Sequence, residues 1–196
     1  ADNPLFLTAT RWGFFRRGYY FNEYRVAFQR ELFKGFSQKI AFRNWSFDPT
    51  YNFGYYENPT DLNSPILEEF QSSEISLESR FARDELFIQN DNDRLSLGTD
   101  KWPVITLKYT HGISGVFGSD FDYDKVRLTV KKRISWGPLG YSYLTLTGEN
   151  VFNTLPYPLL TLHLGNQSPL YSTVNYSLMN YGEFVRDHFA SLQYQH

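Results

Sequence analysis

The chain alternates polar and apolar residues most regularly between Lys125 and Trp136. Even positions there are mostly apolar, whereas odd positions are polar and include the basic residues Lys125, Arg127, Lys131 and Arg133. A period of two indicates a β-strand, whose side chains point alternately to its two faces. Soluble strands average about 5 to 6 residues, and tilted membrane strands need about 9 to 11, so the length favours a membrane strand. The basic positions predict a solvated face, in a barrel lumen or bulk water, rather than a specific ligand site.

Other segments repeat this alternation less regularly. They are Tyr24–Leu32, Glu74–Phe81 and Ile105–Thr110, to which Tyr141–Thr147 adds a run of β-branched and aromatic residues. The pattern predicts an all-β protein, an antiparallel meander of about 8 to 10 long strands that forms all or part of a transmembrane β-barrel with long external loops. We expect residues 1–196 to be one barrel domain or the C-terminal segment of a larger outer-membrane barrel.

The segments between the predicted strands differ in length. Asp48–Ser73 is long and rich in Pro, Asn, Asp and Tyr, Asn90–Pro103 is a shorter polar loop, and Trp136–Gly140 is a tight connector. Outer-membrane barrels have long loops at one end and tight turns at the other. Within the first loop, Ser64–Ser73 is the one place where a helical turn or two is expected.

Composition supports a barrel and excludes other classes. Aromatic residues make up 19% of the chain although mean hydropathy is −0.46, which suits aromatic girdles around a polar interior. No run is long enough for a spanning helix, so a membrane crossing has to use strands. The net charge of −2 argues against nucleic acid as a partner, and the absence of cysteine excludes disulfides and thiolate metal sites.

Candidate catalytic and metal-binding residues are few. His188 directly follows Asp187, but neighbours in a strand point to opposite faces and cannot form a dyad there. His111 stands at a strand end, where a rim or turn role is expected. Gly112–Gly118 is glycine-rich but lacks the lysine of a phosphate-binding loop. We therefore predict no catalytic residue, no metal site and no cofactor.

Two prolines stiffen the connector Leu155–Leu160, which reads LPYPLL. Because proline cannot donate a ladder hydrogen bond, Pro156 and Pro158 should lie outside central strand pairing, after a strand that ends near Phe152. The leucines that follow are too apolar for open solvent. We expect a rigid corner, with a folded loop or short strand packed on the barrel, rather than direct contact with a substrate.

These residues also carry a resemblance to a known family. About the last 120 residues, most clearly from Gly118 to His196, and more loosely the first 80, resemble the C-terminal portion of an uncharacterised family of outer-membrane proteins from Bacteroidetes. Its members are domains of unknown function that often follow a carboxypeptidase-regulatory-like domain. The most specific positions are Leu155, Pro156, Tyr157, Pro158, His163, Gly165, Asn166, Met179, Asn180, Tyr181, Glu183, Phe184 and Asp187. The family more often has proline where Leu164 stands.

The resemblance implies a place and a role. It implies a bacterial outer-membrane barrel, similar in architecture to the BamA and TamA class, whose motif positions are structural. The expected function is non-enzymatic and related to outer-membrane protein assembly, export or transport. Expected partners are outer-membrane lipid and other outer-membrane or assembly-machinery proteins. The alternatives are a soluble lipocalin-like ligand-binding barrel and an outer-membrane hydrolase.

Overall fold

The computed structural model describes residues 19–58, 60–61, 63–90, 93–99, 101–162 and 185–196, and these residues are all-β. The strands are β1 (Tyr19–Tyr20), β2 (Glu23–Phe33), β3 (Phe36–Pro49), β4 (Tyr55–Tyr56), β5 (Ile66–Leu67), β6 (Phe70–Phe81), β7 (Glu85–Asn90), β8 (Asp93–Thr99), β9 (Val104–Gly112), β10 (Tyr123–Ser135), β11 (Tyr141–Val151), β12 (Thr161–Leu162), β13 (Val185–Arg186) and β14 (His188–Gln195). Single 3-10 turns occupy Val116–Gly118, Gly137–Leu139 and Tyr157–Leu159. Among the described residues, no helix is long and apolar enough to span a membrane.

The described residues divide into two compact units. The sheet unit comprises Phe21–Ser46, Phe70–Asn153 and His188–His196. Its strands pair in the order β2-β3-β6-β9-β10-β11-β14, so that each long strand lies beside the next long strand of the chain. The pairings of β2 with β3, β6 with β9, β9 with β10, β10 with β11, and β11 with β14 are antiparallel. The predicted all-β antiparallel meander is therefore confirmed.

Strand lengths follow the alternation in the sequence. β10 runs from Tyr123 to Ser135, which matches the predicted strand to within two residues at each end. It pairs with β9 on one side and β11 on the other along almost its whole length. Since each ladder is continuous, every second side chain of neighbouring strands falls on the same face of the sheet.

The connections differ between the two ends of the sheet. Those that follow β3, β9 and β11 lie at one end and are long, whereas the other end has tight turns at residues 34–35 and 136–140 together with the connection from β6 to β9, which contains β7 and β8. Gly35 has a φ of +81°, and a Cβ there would stand 2.9 Å from the carbonyl oxygen of Ala82, so the first tight turn requires glycine.

Two sequence-based expectations about connections are wrong. The predicted polar loop Asn90–Pro103 instead contains β8, which pairs with β7 as a hairpin between β6 and β9. Its sequence, Arg-Leu-Ser-Leu after the Asn-Asp-rich turn, alternates over too few residues to stand out from its polar surroundings. Ser64–Ser73 is not helical, because Ile66–Leu67 pair with Tyr55–Tyr56 and β6 begins at Phe70. Cross-strand pairing thus outweighs local helical propensity.

The loop unit comprises the described residues of β1, 47–69, 154–162 and 185–187. An aromatic cluster holds it together: the Phe53 ring centroid lies 5.2 Å from that of Phe47 and 5.4 Å from that of Tyr157. Tyr157 also hydrogen-bonds Tyr51 through the two hydroxyl groups. Pro156 and Pro158 lie outside the strands, as expected, because β11 ends at Val151 and Tyr157–Leu159 form a 3-10 turn, with Leu159 buried.

Candidate functional site

The two faces of the sheet unit carry different side chains. The register places one set of alternate residues, here called the apolar face, on one side: Tyr24, Val26, Phe28, Ile40, Ile75, Leu77, Ile105, Leu107, Tyr109, Val126, Leu128, Val130, Leu144, Leu146, Leu192 and Tyr194. The other set, here called the polar face, includes all four residues of the predicted basic strand. Two hydrogen bonds link β3 with β6. On the apolar face, the Asn44 amide donates to the Ser73 hydroxyl, and on the polar face, the Trp45 indole donates to the Glu74 carboxylate.

The apolar face is the exposed one. Leu107 and Leu128 in the centre of the sheet are 46% and 42% exposed, and Leu192 near its edge is 66% exposed. Along β14 every apolar-face residue is exposed and every polar-face residue is half-buried. The same holds along β9 from Ile105 to Thr110, where Thr106, Lys108 and Thr110 are the shielded positions. Along β9 and β14, exposure is thus the reverse of that in a water-soluble protein, whereas β2 is exposed on both faces and Lys131 and Tyr143 of the polar face are exposed as well.

Hydrogen-bonded aromatic residues border the apolar face where β10 ends. The indole Nε1 of Trp136 donates to the Ser142 hydroxyl at 2.8 Å, and the same hydroxyl lies 2.9 Å from the Tyr194 hydroxyl and 2.8 Å from His196 Nδ1. Trp136 and Tyr194 are both more than half exposed. Such side chains, with an apolar body and a satisfied polar tip, are typical of a boundary between lipid and water.

A second border lies where β10 begins. The Asp124 carboxylate accepts a hydrogen bond from the Tyr109 hydroxyl at 2.5 Å and lies 2.9 Å from His111 Nδ1. Between Asp124 and Lys132, the apolar-face positions of β10 are Val126, Leu128 and Val130. Eight residue steps of about 3.3 Å separate the charged positions by roughly 26 Å along the strand. The Lys132 ammonium in turn donates to the Lys101 carbonyl at 2.6 Å, close to the strand end.

The polar face carries a row of charges across four strands. Glu78, Lys108, Arg127 and Glu149 are directly opposite one another on β6, β9, β10 and β11. The Arg127 guanidinium donates to the Glu149 carboxylate, whose side chain is 1% exposed. The two bases lie side by side between the two acids, so the buried Glu149 carboxylate at the end of the row has a cation beside it.

A second charged group lies on β2, β3 and β6. The Arg43 guanidinium is 3.2 Å from the Glu23 carboxylate and 3.9 Å from that of Glu74. It also stacks over the Trp45 ring at 4.8 Å, and the Trp45 indole donates to Glu74 at 2.9 Å. Ion pairing, cation–π attraction and hydrogen bonding together hold these side chains against one another on the polar face.

Close packing on the polar face is clearest at Gly112. Tyr123 lies directly opposite in the β9–β10 ladder, is 1% exposed, and places its ring where a Cβ on Gly112 would be. Gly148, on the apolar face of β11, has no such constraint, because the nearest atom to its added Cβ would be the Phe189 carbonyl oxygen at 3.8 Å.

The glycine-rich segment after β9 is folded onto the sheet. The Ser73 hydroxyl donates to the Val116 carbonyl at 2.8 Å, and the Ser119 hydroxyl accepts from the Ser73 amide at 3.0 Å. Phe117 adopts a φ of 48°, in the left-handed region, and is 72% exposed. The hydrogen bonds hold the segment as a structural loop that displays one aromatic ring.

The structure brings together some sequence-predicted positions and separates others. The polar face carries all four residues of the predicted basic strand, Lys125, Arg127, Lys131 and Arg133. The sequence pattern did not predict the acidic residues that lie opposite or near them. Period-two patterning identifies a face, but only the strand register pairs Arg127 with Glu149. Motif residues Leu155, Pro156, Tyr157, Pro158 and Asp187 lie in the loop unit. The remaining motif positions lie outside the described residues: His163, Gly165, Asn166, Met179, Asn180, Tyr181, Glu183 and Phe184.

Comparison with known proteins places the chain in a family. The model of the C-terminal domain of a family of unknown function, DUF5686, matches residues 11–196. The chain belongs to this family. No curated protein and no solved structure matches it. Over the part of the chain that the structure describes, no group of three or more His, Cys, Asp or Glu side chains is arranged to hold a metal ion.

Proposed function

We propose that this DUF5686 domain forms all or part of a non-enzymatic β-barrel in the outer membrane of a Bacteroidetes bacterium, with its polar face towards an aqueous lumen. The observation that carries the proposal is the reversed exposure of the two faces. Leu107 and Leu128 are exposed in the middle of the sheet, while the Glu149 side chain beside them in the fold is buried.

Lipid accounts for this arrangement better than water does. Leaving apolar surface in water costs about 25 cal/mol per Å², and contact with acyl chains removes that cost. A barrel also satisfies its backbone hydrogen bonds between strands, which a hydrocarbon environment demands. The aromatic borders at Trp136 and Tyr194, and the position of Lys132 near a strand end, fit a band of lipid contact between two interfaces.

The lipocalin-like alternative requires the opposite orientation. A soluble ligand-binding barrel turns polar residues to bulk water and encloses an apolar cavity. In that arrangement Leu107 would be shielded and Lys108 exposed, whereas Leu107 is exposed and Lys108 half-buried. The exposure of the faces therefore favours the membrane barrel over the soluble barrel.

The role we propose is in assembly, export or transport across the outer membrane. A lumen lined by ordered charge pairs, such as Arg127 with Glu149 and Arg43 with Glu23, offers a wettable surface for polar cargo. Because the chain resembles the assembly and translocation barrels, we expect the assembled or exported molecules to be polypeptides. Outer-membrane lipid is the proposed partner of the apolar face.

Fractionation and site-directed spin labelling test this proposal. The chain is expressed in a Gram-negative host with the sequence that naturally flanks it and with any cysteine outside it removed. We expect it in the outer membrane, resistant to carbonate extraction and with heat-modifiable migration. A nitroxide on Leu107→Cys should be relaxed by oxygen and protected from a water-soluble nickel chelate. The matched Thr106→Cys nitroxide, one residue away, should show the reverse.

Two results would contradict the membrane barrel. One is release of the protein as a soluble monomer without detergent, which would support the ligand-binding barrel. The other is equal access of the nickel chelate to both nitroxides in a membrane-bound preparation, which would indicate peripheral attachment.

A further inference from the structure

The charges of the polar face are unbalanced, although the chain as a whole has a net charge of −2. Within the described strands of the sheet unit, the register assigns nine basic and five acidic side chains to this face. The basic ones are Arg25, Lys39, Arg43, Arg80, Lys108, Lys125, Arg127, Lys131 and Arg133. The acidic ones are Glu23, Glu31, Glu74, Glu78 and Glu149. One further acid, Glu85 of β7, forms an ion pair with Arg80.

The excess positive charge is concentrated in the middle of the sheet. On β9 and β10 the charged polar-face positions are all basic, and the acids lie on the flanking strands β6 and β11 or on β2. Of the β10 bases, Arg127 is directly opposite an acid, Glu149, whereas Lys125 is opposite Val151 and Thr110. Towards the end of β10, Lys131 is opposite Thr145 and Val104, and Arg133 is opposite Tyr143.

Polar groups surround these two cations. The Arg133 guanidinium lies over the Tyr141 ring at 4.8 Å, and Tyr143 and Lys131 on the same face are exposed. Tyr143 is opposite Gln195 on β14, which adds an amide to the group. Lysine and arginine two residues apart in a strand place their side chains roughly 7 Å apart on one face, a spacing that one phosphate, sulfonate or carboxylate can bridge.

We propose that the polar face selects anions, and that Lys131, Arg133 and Tyr143 form the point of contact for solutes bearing phosphate, sulfonate or carboxylate groups. This rests on the proposed function, since it requires the face to line an aqueous lumen. A charged wall of low dielectric concentrates field lines, which raises the local concentration of oppositely charged solutes. Arginine provides planar donors for an oxyanion, and lysine adds a mobile charge.

Paired thiol reagents measure the potential at this face. The cysteine of a Thr129→Cys variant, between Arg127 and Lys131, is modified in intact outer membranes with an anionic sulfonate methanethiosulfonate or its cationic trimethylammonium counterpart. We expect the ratio of anionic to cationic rates to exceed that of a free thiol by about tenfold. The ratio should fall as salt is raised from about 20 mM to about 500 mM.

Charge reversal localises the effect. Lys131→Glu with Arg133→Glu, in the Thr129→Cys background, should lower the ratio by about tenfold or more. The matched control is Lys34→Glu, which makes the same kind of charge change in the turn between β2 and β3. We expect it to leave the ratio unchanged. If the double reversal does not fold, Lys131→Gln with Arg133→Gln removes the charges without adding acids, and should bring the ratio towards that of the free thiol.

The outcomes separate this inference from the proposed function. If Thr129→Cys reacts with both reagents and the ratio is equal to or below that of the free thiol, the face is wet but not anion-selective, and only the inference is overturned. A ratio that the Lys131 and Arg133 substitutions leave unchanged would overturn the assigned contact point. If neither reagent reaches the cysteine, the face lines no aqueous lumen, and the proposed function fails with the inference.

Discussion

The two faces of the sheet unit are built from the same strands but obey opposite rules of packing. On the polar face, side chains fit against one another: Tyr123 covers Gly112, and Glu149 is buried beside Arg127. On the apolar face, Leu107 and Leu128 are exposed and the surface around Gly148 is open. The comparison teaches that the closest side-chain packing in the described sheet lies on its charged face. Substitutions should therefore have different effects on adjacent residues of one strand.

The largest difference is expected at Leu128 and Thr129, adjacent residues of β10. Leu128→Arg places a charge in the middle of the apolar face and should reduce the free energy of unfolding in lipid by about 2 to 4 kcal/mol. Thr129→Arg, on the polar face, should cost less than half as much. Urea unfolding in phospholipid vesicles measures both. Equal losses for the two variants would remove the distinction between a lipid-facing and a water-facing side.

A smaller effect is expected from removing one charge of a buried pair. Arg127→Met leaves the buried Glu149 carboxylate without its partner and should cost about 2 to 3 kcal/mol, less than a fully buried pair because Arg127 is partly exposed. The comparison is Asp124→Asn, which removes the charge of a half-exposed carboxylate beside His111 at the border and should reduce the free energy of unfolding much less than Arg127→Met does. Unfolding in the same vesicles gives both values. If Asp124→Asn lowers the free energy of unfolding more than Arg127→Met does, the ion pairs of the polar face do not stabilise the sheet.

The smallest effect concerns a single methyl group. Gly112→Ala would overlap the Tyr123 ring and should cost about 1 to 2 kcal/mol, whereas Gly148→Ala meets only ordinary contact and should be close to neutral. Thermal unfolding distinguishes them. Combining Gly112→Ala with Tyr123→Leu relieves the overlap, so the double variant should recover part of the loss. Identical stability of the two alanine variants would indicate that the polar face is not closely packed.

Local sequence patterns predicted much of the fold correctly. They failed where the structure depends on pairing between strands that are distant in sequence or short. The alternation from Lys125 to Trp136 predicted β10 and its basic face, and Pro156 and Pro158 predicted a corner after β11. Ser64–Ser73 was mistaken for a helical turn because its pairing with Tyr55–Tyr56 is distant in sequence. The β7–β8 hairpin was missed because its alternation is brief. The acidic partners on the polar face could not be found before the register was known.

By itself, the sequence determined which residues share a face, how long the main strands are, and that the chain is all-β. These properties follow from a period of two, which is local to each strand. The tertiary structure alone decided that the polar positions of β9 and β14 are the shielded ones, that Glu149 lies opposite Arg127, and that Lys131 and Arg133 lie opposite uncharged residues. These features depend on register between strands, and a shift of one residue would exchange every side chain between the two faces.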